Sequence, residues 1–288
     1  MNKKYAMLAA ALVAALPVFS ARAAVNTMAD IIFVVDESGS MNTEHGWLGT
    51  MAAGFNTQLT NAGVVDSKFS LVGFGNGGAG NLGRIVGSAN SVSAAAFATA
   101  TGSLVTTGSQ EDGYAGISYA LSNVTRRGGA ALNVILVTDE DRDNASANTY
   151  ASILASLTGN GGLLNVVVNN SFSASGSALG VDADLAAYKA NGTGGFTATA
   201  DGTGVISLST TKTQYIDLAL ATGGAAWDLN QLRAGGNTAA SFTAAFTSIK
   251  VAEITVQPPS RVPDSGSTIV LLLGSLAIVA SFRRRIAA

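Results

Sequence analysis

The sequence predicts an α/β fold: a doubly wound, mostly parallel sheet flanked by helices, carrying one inserted Gly/Ser/Ala-rich segment. Three observations predict it. Uninterrupted apolar runs dominated by β-branched residues alternate with stretches of helical periodicity, as strands buried on both faces alternate with covering helices. Two of those runs, "IIFVVD" and "NVILVTD", end in an acid, and loops at the C-terminal strand ends of an open parallel sheet converge on one crevice. The 288 residues are 48% hydrophobic and 12% charged, ample for one large core or two small ones.

In chain order, the strands are Ile31–Val35, Phe69–Phe74, Leu132–Thr138 and Leu163–Val168, with a weaker one at Val205–Leu208. Between them helical patterns cover Gly49–Leu59, Ala94–Ala100, Gly113–Asn123 and Ala147–Leu157. The segment 171–213 is rich in Ser, Ala, Gly and Thr and reads as an insertion, with a short helix at Asp182–Ala190 and a hairpin around Gly195–Leu208. Core periodicity resumes at "YIDLALATGG", and the last helix is Thr238–Val251. Residues 254–261 form a linker by their prolines and serine. The 34 glycines, against an average of about 7%, announce many tight turns.

Both ends read as targeting segments. Lys3 and Lys4 precede an apolar run from Ala6 to Leu16, and "FSARAAV" offers a small-x-small cleavage site near Ala23 or Ala24, so residues 1–24 are a signal peptide. At the other end, Ile269–Phe282 is an apolar stretch shorter than the ~20 residues that span a bilayer comfortably, followed by Arg283, Arg284 and Arg285. This suits a tail held transiently in the inner membrane; a permanent anchor or a helix packed on the domain are the alternatives. Val262-Pro263-Asp264-Ser265-Gly266, then the apolar segment, then the arginines, resembles the three-part C-terminal signals of the PEP-CTERM type, in the VPDSG variant. That resemblance, over residues 262–288, implies Gram-negative export, an exosortase-type processing enzyme as partner, and delivery to the cell surface or extracellular matrix.

Charge and composition narrow the function. Loss of both ends removes six basic residues, so 16 falls to 10 against 18 acids and the mature net charge becomes −8. Such a balance excludes nucleic acid and anionic membrane surfaces as partners and suits divalent cations. There is no cysteine, hence no disulfide framework, thiolate nucleophile or cysteine metal site.

Nine of the acids fall in three short segments: Asp36, Glu37 and Glu44; Glu111 and Asp112; Asp139, Glu140, Asp141 and Asp143. Gathered in one crevice they repel one another unless something positive sits among them. A hard divalent cation, Mg2+ first with Mn2+ or Ca2+ as alternatives, fits carboxylate and hydroxyl ligands. Asp36, Ser38 and Ser40 leave a strand on alternate positions around Gly39, so their side chains can face one centre.

"DESGSM" looks like the Asp-x-Ser-x-Ser signature of von Willebrand factor type A (VWA) domains, where it forms part of a metal-ion-dependent adhesion site (MIDAS). "ILVTDE" resembles the family's second acidic element and "ALATGGAAWDLNQL" its last strand and final turn, so the resemblance covers Met28 to Glu253. It implies metal coordination by Ser38 and Ser40, Asp36 near the metal, and Asp139 at the site. The middle loop departs from the common pattern, which has a threonine. Aligning "EDGYAGISYAL" by its helix puts Glu111 there, much as integrin β subunits use a glutamate; Thr106 or Thr107 is the alternative ligand.

Other readings compete at several positions. Asp36 and Ser38 could cap the following helix, though that leaves Glu111 and Asp139 unexplained. Asp141 and Asp143 read as solvated acids, Trp47 and Trp227 as packing, and "TRRGG" at Thr125–Gly129 as a helix end. His45 is the sole histidine, which leaves a Ser–His–Asp triad without support. The expectation is an exported, non-enzymatic binding module whose cation accepts a carboxylate from a protein or matrix ligand. The rivals are a structural matrix component with a stabilising metal and, remotely, a metal-assisted hydrolase.

Overall fold

The computed structural model describes residues 25–258 except 42, 77–81, 173–176, 203 and 207–209. The leader, the apolar segment Ile269–Phe282 and the VPDSG-type tail lie outside the described residues. The chain begins with β1 (Met28–Asp36), α1 (Glu44–Asn61), β2 (Asp66–Phe74), β3 (Arg84–Ile85), α2 (Ala94–Thr101) and α3 (Gly113–Asn123). It continues through β4 (Ala131–Thr138), α4 (Tyr150–Gly159), β5 (Gly162–Val168) and five short strands: β6 (Ser171–Phe172), β7 (Ala178–Asp182), β8 (Ala187–Ala190), β9 (Phe196–Thr199) and β10 (Val205–Ile206). A π-helical turn (Lys212–Ile216) leads into α5 (Asp217–Ala221), then β11 (Ala225–Asp228), α6 (Leu229–Arg233) and α7 (Gly236–Val256).

The strands form one sheet in the order β10-β6-β7-β11-β5-β4-β1-β2-β3, with β8 on β7 and β9 on β8. Its centre, β2-β1-β4-β5-β11, is parallel, and β3 and β7 close it antiparallel on either side. Chain order reverses between β1 and β4, so the crevice of a doubly wound sheet opens at their C-terminal ends.

Strand β1 shows why the sheet is a double layer. Ile31, Phe33 and Val35 meet α1, α2 and α7 through Leu48, Phe55, Phe97, Phe242 and Phe246. Ile32 and Val34 point the other way, toward Tyr114 and Ile117 of α3 and Ile153 and Leu157 of α4. A strand covered on both faces is apolar along its middle, the pattern that Ile31–Val35 carry, while the buried Asp30 before them is held by Arg127 at 2.8 Å. Trp47 and Trp227 pack as rings on Phe246, at centroid distances of 5.3 and 5.4 Å.

Two expectations fail. Asp182–Ala190 is not a helix: it is the end of β7, a turn and β8. The Asp182 Oδ1 atom accepts the N–H groups of Asp184 and Ala186, both at 3.0 Å, and Leu185 adopts φ +62°. Residues 187–190 pair as β8 with β7 on one side and β9 on the other, and that pairing overrides the helical propensity of "DLAAYKA". Nor is Gly195–Leu208 a hairpin, because β9 pairs with β8 and β10 with β6. The segment 171–213 therefore extends the sheet.

At the N-terminal edge of the sheet the domain's two ends are tied together. Asn26 Nδ2 donates to the carbonyls of Ile254 (2.7 Å) and Gln257 (2.5 Å), while Gln257 Nε2 reaches Leu132 O and Gly161 O at 2.6 and 2.8 Å. Among the described residues no helix is long and apolar enough to cross a membrane.

Candidate metal centre

Where β1 ends, the buried Asp36 carboxylate is held on both oxygens. Oδ1 accepts the Ser38 N–H at 2.8 Å and Oδ2 accepts the Thr138 hydroxyl at 2.8 Å, tying the ends of β1 and β4 together. His45 serves this loop too, its Nε2–H donating to Asp36 O at 2.9 Å, which makes it a structural pin. The Ser38 and Ser40 hydroxyls lie 3.0 Å apart, and Ser40 donates to Asp139 Oδ1 at 2.8 Å.

Glu111 arrives on a loop laid across the ends of β1 and β2. Gly108 N–H donates to Glu37 O (2.9 Å) and Ser109 N–H to Gly75 O (3.2 Å). That approach needs glycine twice: a Cβ on Gly108 would fall 2.2 Å from Gly75 O, and Gly75 has φ +87°. Asp143 accepts the Glu111 N–H at 2.8 Å, so it orients the loop and is not a merely solvated acid. Thr107, an alternative ligand in the sequence reading, donates instead to Asn76 at 3.3 Å.

One ligand oxygen from each of Asp36, Glu111 and Asp139 lies within 4.8 Å of the others. Burial raises both Asp36 and Glu111. For Asp36 the Thr138 hydroxyl and Ser38 N–H work against the rise. Glu111 is pushed up to about 9, first by burial, then by the facing Asp36 charge and hydrogen bond, and by Glu140. Two carboxyls in such contact do not both ionise without help; they share a proton or accept a cation. The Glu111 Oε2 atom is buried without a hydrogen-bond partner. An orphaned carboxylate oxygen beside two further acids and two hydroxyls is a donor set that fits a hard cation.

The positive charge that the sequence reading sought comes partly from arginines. Arg84 clamps Glu37 through Nε (2.9 Å) and Nη2 (2.5 Å). Arg142 clamps Asp112 at 2.6 and 3.0 Å and lies 4.5 Å over the Tyr114 ring. Arg233, at the end of α6, bonds Glu44 and reaches Asp139 Oδ2 at 2.9 Å. Glu37, Glu44 and Asp112 are thus structural acids. Among the described residues neither Asp36 nor Glu111 pairs with a lysine or arginine. Sequence reasoning missed Thr138 and Arg233. Thr138 stands beside Asp139 and was readable as the last residue of its strand; Arg233, remote along the chain, carried no signal.

A doubly wound parallel sheet whose reversal point gathers Asp-x-Ser-x-Ser, an acid-bearing loop before a helix, and a strand ending in Thr-Asp has the architecture of a von Willebrand factor type A domain. Residues 261–286 match the VPDSG-CTERM motif. No curated protein matches the sequence. Among solved structures the chain is similar to proximal thread matrix protein 1 from the mussel byssus, in a form with a zinc-occupied MIDAS motif: 19% identity, 51% of this chain and 37% of that chain, TM-score 0.39. It is similar to a von Willebrand factor type A protein from Catenulispora acidiphila at 21% identity, over 49% of this chain and 33% of that one, TM-score 0.33. It is also similar to an aerotolerance-related membrane protein from Bacteroides fragilis at 14% identity, over 78% of this chain and 99% of that one, TM-score 0.42. The chain spans about a third of the length of the first two.

Proposed function

We propose that this protein is an exported, cation-dependent binding module. Asp36, Ser38, Ser40, Glu111 and Asp139 hold a divalent cation, Mg2+ before Mn2+ or Ca2+, and a protein or matrix ligand completes its coordination with a carboxylate. The observation that carries the reading is Glu111: buried, facing Asp36, with one oxygen unpartnered. An all-oxygen donor set without cysteine or histidine favours hard cations. The role is read as binding because Thr138, the Ser38 N–H and His45 hold the Asp36 end of the loop and Asp143 holds the Glu111 backbone, so these groups position the acids.

The VPDSG-CTERM match implies export and processing by an exosortase-type enzyme. On this reading the tail holds the protein transiently in the inner membrane and the mature domain reaches the surface or matrix. A structural role with a stabilising cation is the second reading, and Arg233 favours it, since it already offsets part of the Asp139 charge at the crevice mouth.

The test compares the mature chain with Asp139→Ala and with a Ser38→Ala/Ser40→Ala variant. Calorimetric Mg2+ titration is run beside adhesion to matrix from the producing cells, with and without chelator. Loss of both metal binding and adhesion in the variants supports the module. Unimpaired affinity rejects the site, and lost metal with intact adhesion selects the structural reading.

A further inference from the structure

Between α7 and the sheet, away from the crevice, a polar cluster sits inside the apolar layer. Lys250 is fully buried. Its ammonium nitrogen touches Asn165 Oδ1, lies 2.5 Å from Glu253 Oε1, and stands 5.5 and 6.0 Å from the rings of Trp227 and Phe246. Asn165, on β5, is also fully buried. Its Oδ1 accepts the backbone N–H of Ala225 at 2.7 Å, and its Nδ2 donates to Glu253 Oε2 at 3.0 Å and to Asn133 Oδ1 at 3.1 Å. Asn133 in turn donates to Glu253 Oε2 at 3.2 Å, which fixes that carboxylate.

A buried lysine whose carboxylate partner is shared with two asparagines is a costly way to hold a helix on a sheet, because desolvating the ion pair offsets much of what its attraction returns. The same atoms have the arrangement of acyl transfer. A nucleophilic nitrogen meets a carboxamide, a backbone N–H is aimed at the carbonyl oxygen, and one carboxylate reaches nucleophile and leaving group with different oxygens. Lys250 and Asn165 are closed off from solvent, while Glu253 keeps a partly exposed edge.

We propose that Lys250 and Asn165 join in an intramolecular isopeptide bond, with Glu253 as the proton carrier. Neutral Nζ attacks Asn165 Cγ while the Ala225 N–H stabilises the developing oxyanion. Glu253 takes a proton from Nζ through Oε1 and delivers one to Nδ2 through Oε2. The Cγ–Nδ2 bond breaks as the Nζ–Cγ amide forms, and ammonia leaves. Atoms and electrons balance without oxidant, metal or co-substrate. Burial, only partly opposed by Glu253, lowers Lys250 to about 8, which enlarges the neutral fraction that the attack requires. The product ties α7 to β5 across 85 positions of sequence.

The test uses the full chain purified from its native host, denatured and then digested with trypsin. A free Lys250 is a cleavage point; an acylated one is not. The expected result is no cleavage after Lys250, with segments 143–189 and 234–261 recovered as one covalent species about 17 Da lighter than their sum, the mass of ammonia. Asn165→Ala and Glu253→Ala should each restore cleavage after Lys250. Recovery of 143–189 from the native chain as a linear peptide of unaltered mass, together with cleavage after Lys250, overturns the proposal. That result needs no variant to fold.

Discussion

Glu111 governs the crevice at the residue scale. With the carboxyl pushed up to about 9, the metal-free side chain is neutral at pH 7, so a glutamine there reproduces its charge and nearly its shape. Glu111→Gln is therefore expected to leave metal-free stability within about 1 kcal/mol of wild type. The amide offers a weaker ligand, and Mg2+ affinity should fall about tenfold or more, a loss of about 1.4 kcal/mol. Glu111→Thr keeps a hydroxyl of the kind common in VWA sites and should retain binding. Thermal unfolding without metal and calorimetric titration with it check both. Unchanged affinity in Glu111→Gln would mean that the cation is held elsewhere.

At the scale of elements, legibility followed burial. Strands β1 and β4 were readable because burial on both faces leaves long apolar runs broken by few polar residues, and α3 spans the Gly113–Asn123 that its periodicity predicted. The acids at the ends of β1 and β4 were readable for the same reason: a carboxylate after an uninterrupted apolar run has no role in the core. The strands β7 to β10 were not, because short edge strands depend on what lies beside them. The arginine clamps were invisible since their partners are joined by topology, not spacing. Arg233 at the end of α6 gives the sharpest prediction. Arg233→Met leaves the buried Glu44 without its cation, so stability should drop by about 1–3 kcal/mol. The same change removes a positive charge from Asp139, so Mg2+ affinity should rise several-fold. Denaturant unfolding and metal titration on one preparation would show the two moving in opposite directions; a parallel fall would count against a cation at Asp139.

For the whole molecule, these groups set a pH profile with two limbs. Burial works against ionisation of Glu44 and Asp112, but hydrogen bonds from Arg233 and Arg142 outweigh it and hold both carboxyls below their usual range. The unfolded chain then binds more protons in acid, so their contribution is present above about pH 4 and is lost as the pH falls through their folded values. Asp36 and Glu111 have the opposite sign. Raised in the folded metal-free protein, they make it bind more protons than the unfolded chain, and stability declines as pH rises from the ordinary carboxylate range toward about 9. Saturating Mg2+ should remove this upper limb and leave the acid limb in place. Unfolding from pH 2.5 to 9, in chelator and in Mg2+, tests it; a chelated protein equally stable at pH 6 and pH 9 would sink it.

The Asn26 clamp has a mechanical consequence. It fastens the start of β1 to the end of α7, so a domain held through its C-terminal end would carry the crevice at the far end of strands roughly 30 Å long. Tension on an idle domain bypasses the sheet altogether. Once a ligand is gripped at the crevice, the pull runs lengthwise along β1 and β4, and parallel neighbours loaded in that direction must slide, breaking their ladder bonds together instead of unzipping one at a time. Under load, the domain is a shear joint, and the bond proposed between Lys250 and Asn165 would lock the seat of α7 on the sheet against that sliding.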